Sequence, residues 1–88
     1  MSKNSKNMGD KKYIVLLENK DGYMSCEAVC STKEEAYGSA YLSLVDGIDE
    51  SFYYVTLPEF RDGGGTVMEL RDRRDYSLVH YATIITYK

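Results

Sequence analysis

The feature that most limits what this chain can become is residues 31–46, STKEEAYGSAYLSLVD. It is the one stretch with helical periodicity in a sequence that otherwise reads as β-strand. Ser31 and Thr32 each offer a short side-chain oxygen to the unpaired N–H groups of a first turn. Each finds a glutamate three residues on, Glu34 or Glu35, so two alternative capping boxes overlap. Both glutamates also sit where the helix dipole favours negative charge. At about 100° per residue, Ala36, Ala40 and Leu44 stack on one face, flanked by Tyr37, Tyr41 and Ile48. Two alanines in that stripe imply close approach to a flat surface, most naturally a sheet. Gly47 supplies the left-handed position that ends the helix. Leu42 and Val45 point away from the stripe, toward either a covering loop at residues 58–61 or a partner.

The remaining apolar segments supply the sheet. Residues 12–18, KYIVLLE, are apolar on both faces and fit an interior strand. An Asn-Lys-Asp-Gly turn at residues 19–22 leads to residues 23–30, YMSCEAVC, which alternate. Met24, Cys26, Ala28 and Cys30 are expected toward the helix, with Tyr23, Ser25, Glu27 and Val29 away from it. After the helix, residues 51–57, SFYYVTL, form a strand that Pro58 ends. PEFRDGGG reads as a loop, residues 66–71 as a strand with Met68 and Leu70 inward, and residues 76–87 as the longest strand. In that last strand Leu78, His80, Ala82 and Ile84 alternate with Val79, Tyr81, Thr83 and Ile85. Short turns impose antiparallel pairing. The expected fold is therefore α+β, a two-layer sandwich of one helix on a mainly antiparallel five-stranded sheet in the order β-β-α-β-β-β. Ala36, Ala40 and Leu44 should pack on Leu16, Val55, Met68, Leu70 and Ile84.

Eighty-eight residues make one domain, here residues 12–88. Residues 1–11, MSKNSKNMGDK, are polar and aperiodic and read as a disordered basic tail. The net charge of −3 is uneven. Residues 1–12 hold four lysines against one aspartate, net +3, which leaves seven cations and thirteen anions, net −6, for the rest. An acidic body argues against general nucleic-acid binding, in which phosphate neutralisation dominates affinity. No signal peptide or transmembrane stretch is recognisable, and two reduced cysteines suit a cytoplasmic protein. On an extended strand, Cys26 and Cys30 would share a face about 13 Å apart, beyond disulfide reach.

The chemistry-bearing residues are few. Cys26, Cys30 and His80 are the only soft metal ligands, short of the set a zinc site needs, so no metal is expected. A cysteine with His80 is the sole nucleophile–base pairing of that kind, and His80 sits among apolar residues as a packing residue with one hydrogen bond would. The Gly63, Gly64, Gly65 run lacks the Gly-Lys-Ser/Thr ending and leads into a strand, so it is no phosphate loop. Asp46, Asp49 and Glu50 do not have calcium-loop spacing. Neither a catalytic residue nor a cofactor is expected, and the chain reads as no enzyme.

What remains is surface. One helix covers one face of such a sheet, and the other is open. Its expected occupants include Tyr23, Glu27, Tyr54, Glu69, Arg71 and Tyr81, the candidate partner-binding residues. Tyrosine is enriched at interfaces, and this chain has nine with no tryptophan. The expected function is a small non-catalytic protein-binding module with a protein partner and no membrane association. In size, acidity and architecture, though in no motif, the chain resembles phage- or mobile-element-encoded inhibitors such as anti-CRISPR proteins. That resemblance implies blocking a host nuclease or another host protein. The alternatives are single-stranded nucleic-acid binding, with Tyr54 and Tyr81 stacking bases and the arginines of residues 71–74 on phosphate, and self-association as a homodimer.

Overall fold

The computed structural model describes residues 12–19, 21–62 and 65–86. The expected tail, residues 1–11, lies outside them. The chain runs β1 (Tyr13–Asn19), β2 (Met24–Cys30), α1 (Lys33–Val45), β3 (Tyr53–Val55), β4 (Glu59–Arg61), β5 (Gly65–Asp72) and β6 (Leu78–Thr86). The sheet order is β2-β1-β6-β5-β3, with β4 also paired to β5, and every pairing is antiparallel. It is the expected α+β two-layer fold, with six strands in place of five. The sixth is β4, which lies within the segment expected as a loop. Glu59, Phe60 and Arg61 continue along the β5 edge where β3 leaves it, and residues 56–58 break the two apart. At the start of β5, Gly65 approaches β6 so closely that a Cβ would lie 2.6 Å from the Ile84 carbonyl oxygen. The last glycine of the run is thus part of the ladder.

Of the two overlapping capping boxes, Thr32 with Glu35 forms. Thr32 Oγ1 accepts from the Glu35 N–H at 3.2 Å, and Glu35 Oε1 accepts from the N–H groups of Thr32 and Ser31. Gly47 takes the left-handed φ of 72° just beyond Asp46. The helix leaves the sheet at β2, one edge, and returns at β3, the other, touching all five rows as it crosses. That path explains its composition. Ala36, Ala40 and Leu44 are fully buried against Val15, Met68, Leu70, Ala82 and Ile84. Alanine in the centre lets the backbone descend onto the pleat. Leu42, two-thirds exposed, lies on the outer side.

Two irregularities shift the expected faces. The β1–β2 register slips between Val15 and Leu16: Val15 pairs with Ala28, but Leu16 pairs with Cys26, so Glu27 is an extra residue on β2. Past that bulge, Cys26 and Met24 lie across from Leu16 and Glu18 on the open side, whereas Ala28 and Cys30 face the helix. Cys30 is buried and Cys26 exposed. Val15 takes the place in the core expected for Leu16. The second bulge leaves Val79 over on β6, between the Leu70–His80 and Arg71–Leu78 pairs. Val79 packs on the core, and Leu78 lies opposite Arg71 on the open side.

Candidate binding surface

The uncovered face follows from register. In an antiparallel ladder, paired residues share a face and every second residue returns to it. At one end, Tyr54 on β3 pairs with Arg71 on β5, and Glu69 on β5 pairs with Tyr81 on β6. These four of the six expected partner-binding residues come together. The other two do not. Tyr23 precedes Met24, which takes the open-face position opposite Glu18. Glu27 is the bulged residue, and its Oε2 accepts from the Ser25 hydroxyl at 2.5 Å, on the side of Leu17 that turns to the helix. Both are exposed, but neither belongs to the Tyr54–Tyr81 patch.

The patch is internally bonded. Arg71 Nε donates to Glu69 Oε1 at 2.8 Å and its Nη1 to the Tyr76 carbonyl at 2.5 Å. The hydrogen bond and charge of Glu69 hold Arg71 above the usual arginine pKa. Tyr81 donates its hydroxyl to Glu18 Oε1 at 2.6 Å, and that bond raises its pKa. Arg61 pairs with Glu59 at 2.9 Å and approaches Glu69 at 4.0 Å. Each arginine of this face therefore meets an acid of its own chain. Thr56 brackets Glu69, its N–H reaching the Glu69 carbonyl and its Oγ1 accepting the Glu69 N–H, so the rings and charges stand on a fixed frame.

Beyond the patch the same face turns apolar, which alternation did not reveal. Ile14 pairs with Ile85, Leu16 with Thr83, and Thr83 with Val67. All are half-buried, and Val29, Cys26 and Met24 extend the area along the β2 edge. The available signal was the unbroken apolar run at residues 13–17: with Val15 and Leu17 toward the helix, Ile14 and Leu16 must face the other way.

The β5–β6 turn carries the remaining arginines. Arg74 is bound by Asp72 through Nη2–Oδ2 at 2.6 Å and Nε–Oδ1 at 3.0 Å. That pairing holds Asp72 at a pKa of about 2 and pushes Arg74 up. Arg73 is different: its guanidinium carbon lies 5.8 Å from the centre of the Tyr54 ring, and Tyr76 meets that ring edge-on.

The one cysteine–histidine pairing read from the sequence is not assembled. Cys26 is on the open face. Cys30 pairs with Tyr13, whereas His80 pairs with Asn19 at the other end of β1, roughly 20 Å along the strand. His80 is half-buried beneath the helix, its Nε2 3.3 Å from the Leu44 carbonyl oxygen, as its surroundings implied. Among the described residues, no three His, Cys, Asp or Glu side chains converge on a metal position, and no helix is long and apolar enough to cross a membrane.

Among the described residues, fold and surface together define an α+β arrangement of one helix on a sheet whose other face is uncovered. No protein-family model, curated protein or solved structure matches this chain.

Proposed function

We propose that this protein is a non-catalytic binding module that docks a protein partner on the open sheet face. The supporting observation is the continuity of that face: the apolar area of Ile14, Leu16, Val67 and Ile85 runs into the Tyr54–Arg71 and Tyr81–Glu69 pairs. A solvated antiparallel face is ordinarily polar. A broad apolar area beside tyrosine and arginine instead has the make-up of an interface with a few strong anchor residues. The acidic body suits a partner with a basic surface, and inhibition by occluding that surface, in the manner of anti-CRISPR and other anti-defence proteins, is the form of activity this reading favours. Arg71 and Arg74 are already neutralised by Glu69 and Asp72, which weighs against the nucleic-acid reading of the same patch.

The test is affinity capture from host lysate under nuclease treatment, with wild type and a Tyr54→Ala/Tyr81→Ala variant as paired baits. A protein retained by wild type should bind the folded variant about tenfold or more weakly, the scale of losing anchor residues. Equal binding by both baits refutes the face. A partner that disappears on nuclease treatment turns the reading to nucleic acid, and light scattering at twice the chain mass turns it to a homodimer.

A further inference from the structure

We propose that Arg73, Tyr54 and Tyr76 form a binding site for a planar monocarboxylate, an aromatic acid in the simplest case. Among the described residues, Arg61, Arg71 and Arg74 each have a carboxylate partner, and Arg73 is the arginine without one. It is nonetheless fixed. Its backbone N–H donates to the Phe52 carbonyl at 2.8 Å, and its Nε–H is shared between the carbonyls of Glu50 at 3.1 Å and Tyr53 at 3.0 Å. Anchoring through Nε leaves the Nη1 and Nη2 donors, the pair that meets a carboxylate as a fork.

The walls are aromatic. Arg73 lies over the Tyr54 ring, and Tyr76 stands at 76° to that ring with centroids 6.5 Å apart. The three side chains line a shallow depression, open to solvent, of about 420 Å³, wide enough to seat a six-membered ring with its acid group. An edge-to-face or offset contact with a third ring fits this spacing.

Tyr76 carries a second sign. It has a left-handed backbone, φ 64°, the only such non-glycine residue described. A tyrosine held there is strained. Burial does not offset the strain, since the side chain is 67 % exposed. The turn therefore holds a large ring in solvent, in a conformation glycine would adopt more easily, facing a preorganised cation. The surroundings set the ligand charge. Glu50 lines the adjoining cavity of about 230 Å³ together with Arg73, and Asp72 is committed to Arg74. A single guanidinium, its charge partly offset by the nearby Glu50 carboxylate, has too little positive charge for a phosphate dianion, so a monoanion suits the site better.

This inference extends beyond the protein-docking reading: it shares Tyr54 with that face but depends on Arg73 and Tyr76, which the docking test leaves unchanged, and it does not involve Tyr81. The test is a ¹H–¹⁵N titration of the full chain with benzoate, benzamide and phenyl phosphate. Benzoate should give saturable shifts centred on the Arg73 Nε–H and the Tyr76 amide. Benzamide, the neutral analogue, should bind about tenfold more weakly for want of charge-assisted bonds, and phenyl phosphate no more tightly than benzoate. Tyr76→Gly relieves the left-handed strain, so it should keep or raise the melting temperature while weakening benzoate about fivefold or more through loss of the aromatic wall. Arg73→Gln should abolish the shifts. Absence of a saturable shift, equal binding of benzamide, tighter binding of phenyl phosphate, or wild-type affinity in Tyr76→Gly overturns the proposal. None of these outcomes bears on the loss of partner capture by Tyr54→Ala/Tyr81→Ala.

Discussion

Leu44→Ala is the sharpest test of how the helix meets the sheet. Leu44 is fully buried at the end of the Ala36, Ala40, Leu44 stripe and belongs to the same core as Leu70 and Ala82. The substitution removes three carbon groups from the apolar interior, at about 0.8 kcal/mol each, or about 2.4 kcal/mol of transfer free energy. A cavity term adds to this in proportion to the void that remains. The surroundings cannot collapse far, because Ala40, one turn earlier in the buried stripe, has no rotamers with which to fill space. The loss should thus fall in the upper part of the roughly 2–5 kcal/mol range seen for buried leucines, about 3–4 kcal/mol. Against roughly 0.05–0.15 kcal/mol of stability per residue, that is a large share of what holds a domain of this size together. Urea unfolding followed by far-ultraviolet circular dichroism should show a much lower midpoint with an unchanged slope. Leu42→Ala, two residues earlier and two-thirds exposed, is the control on helical phase and should change stability by less than about 0.5 kcal/mol. A Leu44→Ala effect below about 1 kcal/mol, or a larger effect at Leu42, would refute the packing argument.

Two further outcomes follow from the caps and the ion pairs. Thr32→Ala removes the oxygen that accepts the Glu35 N–H and should cost about 1 kcal/mol in the same urea assay; Ser31→Ala should be close to neutral, since the alternative box does not form. The Arg74 hydrogen bonds lower the Asp72 pKa from 3.8 to about 2. A depressed folded-state pKa means that this contribution to stability is present above about pH 4 and is lost as the pH falls through about 2. The gap in urea midpoint between wild type and Asp72→Asn should therefore be widest above pH 4 and narrow toward pH 2, and a gap independent of pH would count against the pair.

Much of the fold was legible because local chemistry and tertiary need agree. The capping residues, the alanine stripe and Gly47 mark one helix, and the alternation of residues 66–71 places Met68 and Leu70 inward, where they are buried. What was not legible has physical causes. The bulges at Glu27 and Val79 carry no glycine or proline to announce them, and period-2 reading assumes a register that neither strand keeps. In residues 13–17 both faces are apolar, so pattern does not distinguish Val15 from Leu16; the helix above does, by burying Val15. β4 was hidden because three residues between Pro58 and the glycine run give no periodicity, and only the free edge of β5 draws them into the ladder. Of the candidate site, Tyr54, Glu69, Arg71 and Tyr81 were legible because the regular part of each ladder carries them.

The same irregularities decide which parts of the sheet are exposed. The β2 edge carries the bulge, and its extra residue is the charged Glu27. The opposite edge is interrupted at residues 56–58 between β3 and β4, with Pro58 unable to donate. Bulges, prolines and charges are the devices by which sheets keep their edges from pairing with other chains. Extension of this sheet by a strand of a second molecule is thus opposed on both sides, and that disfavours the edge-paired form of the homodimer. The bulge at Glu27 has the opposite effect on the face. By turning Cys26 and Met24 to the uncovered side, it widens the apolar area that Ile14 and Leu16 begin. On the docking reading proposed above, guarded edges beside an apolar face favour packing on the face over strand pairing, and side chains, rather than backbone hydrogen bonds, would then set which partner fits.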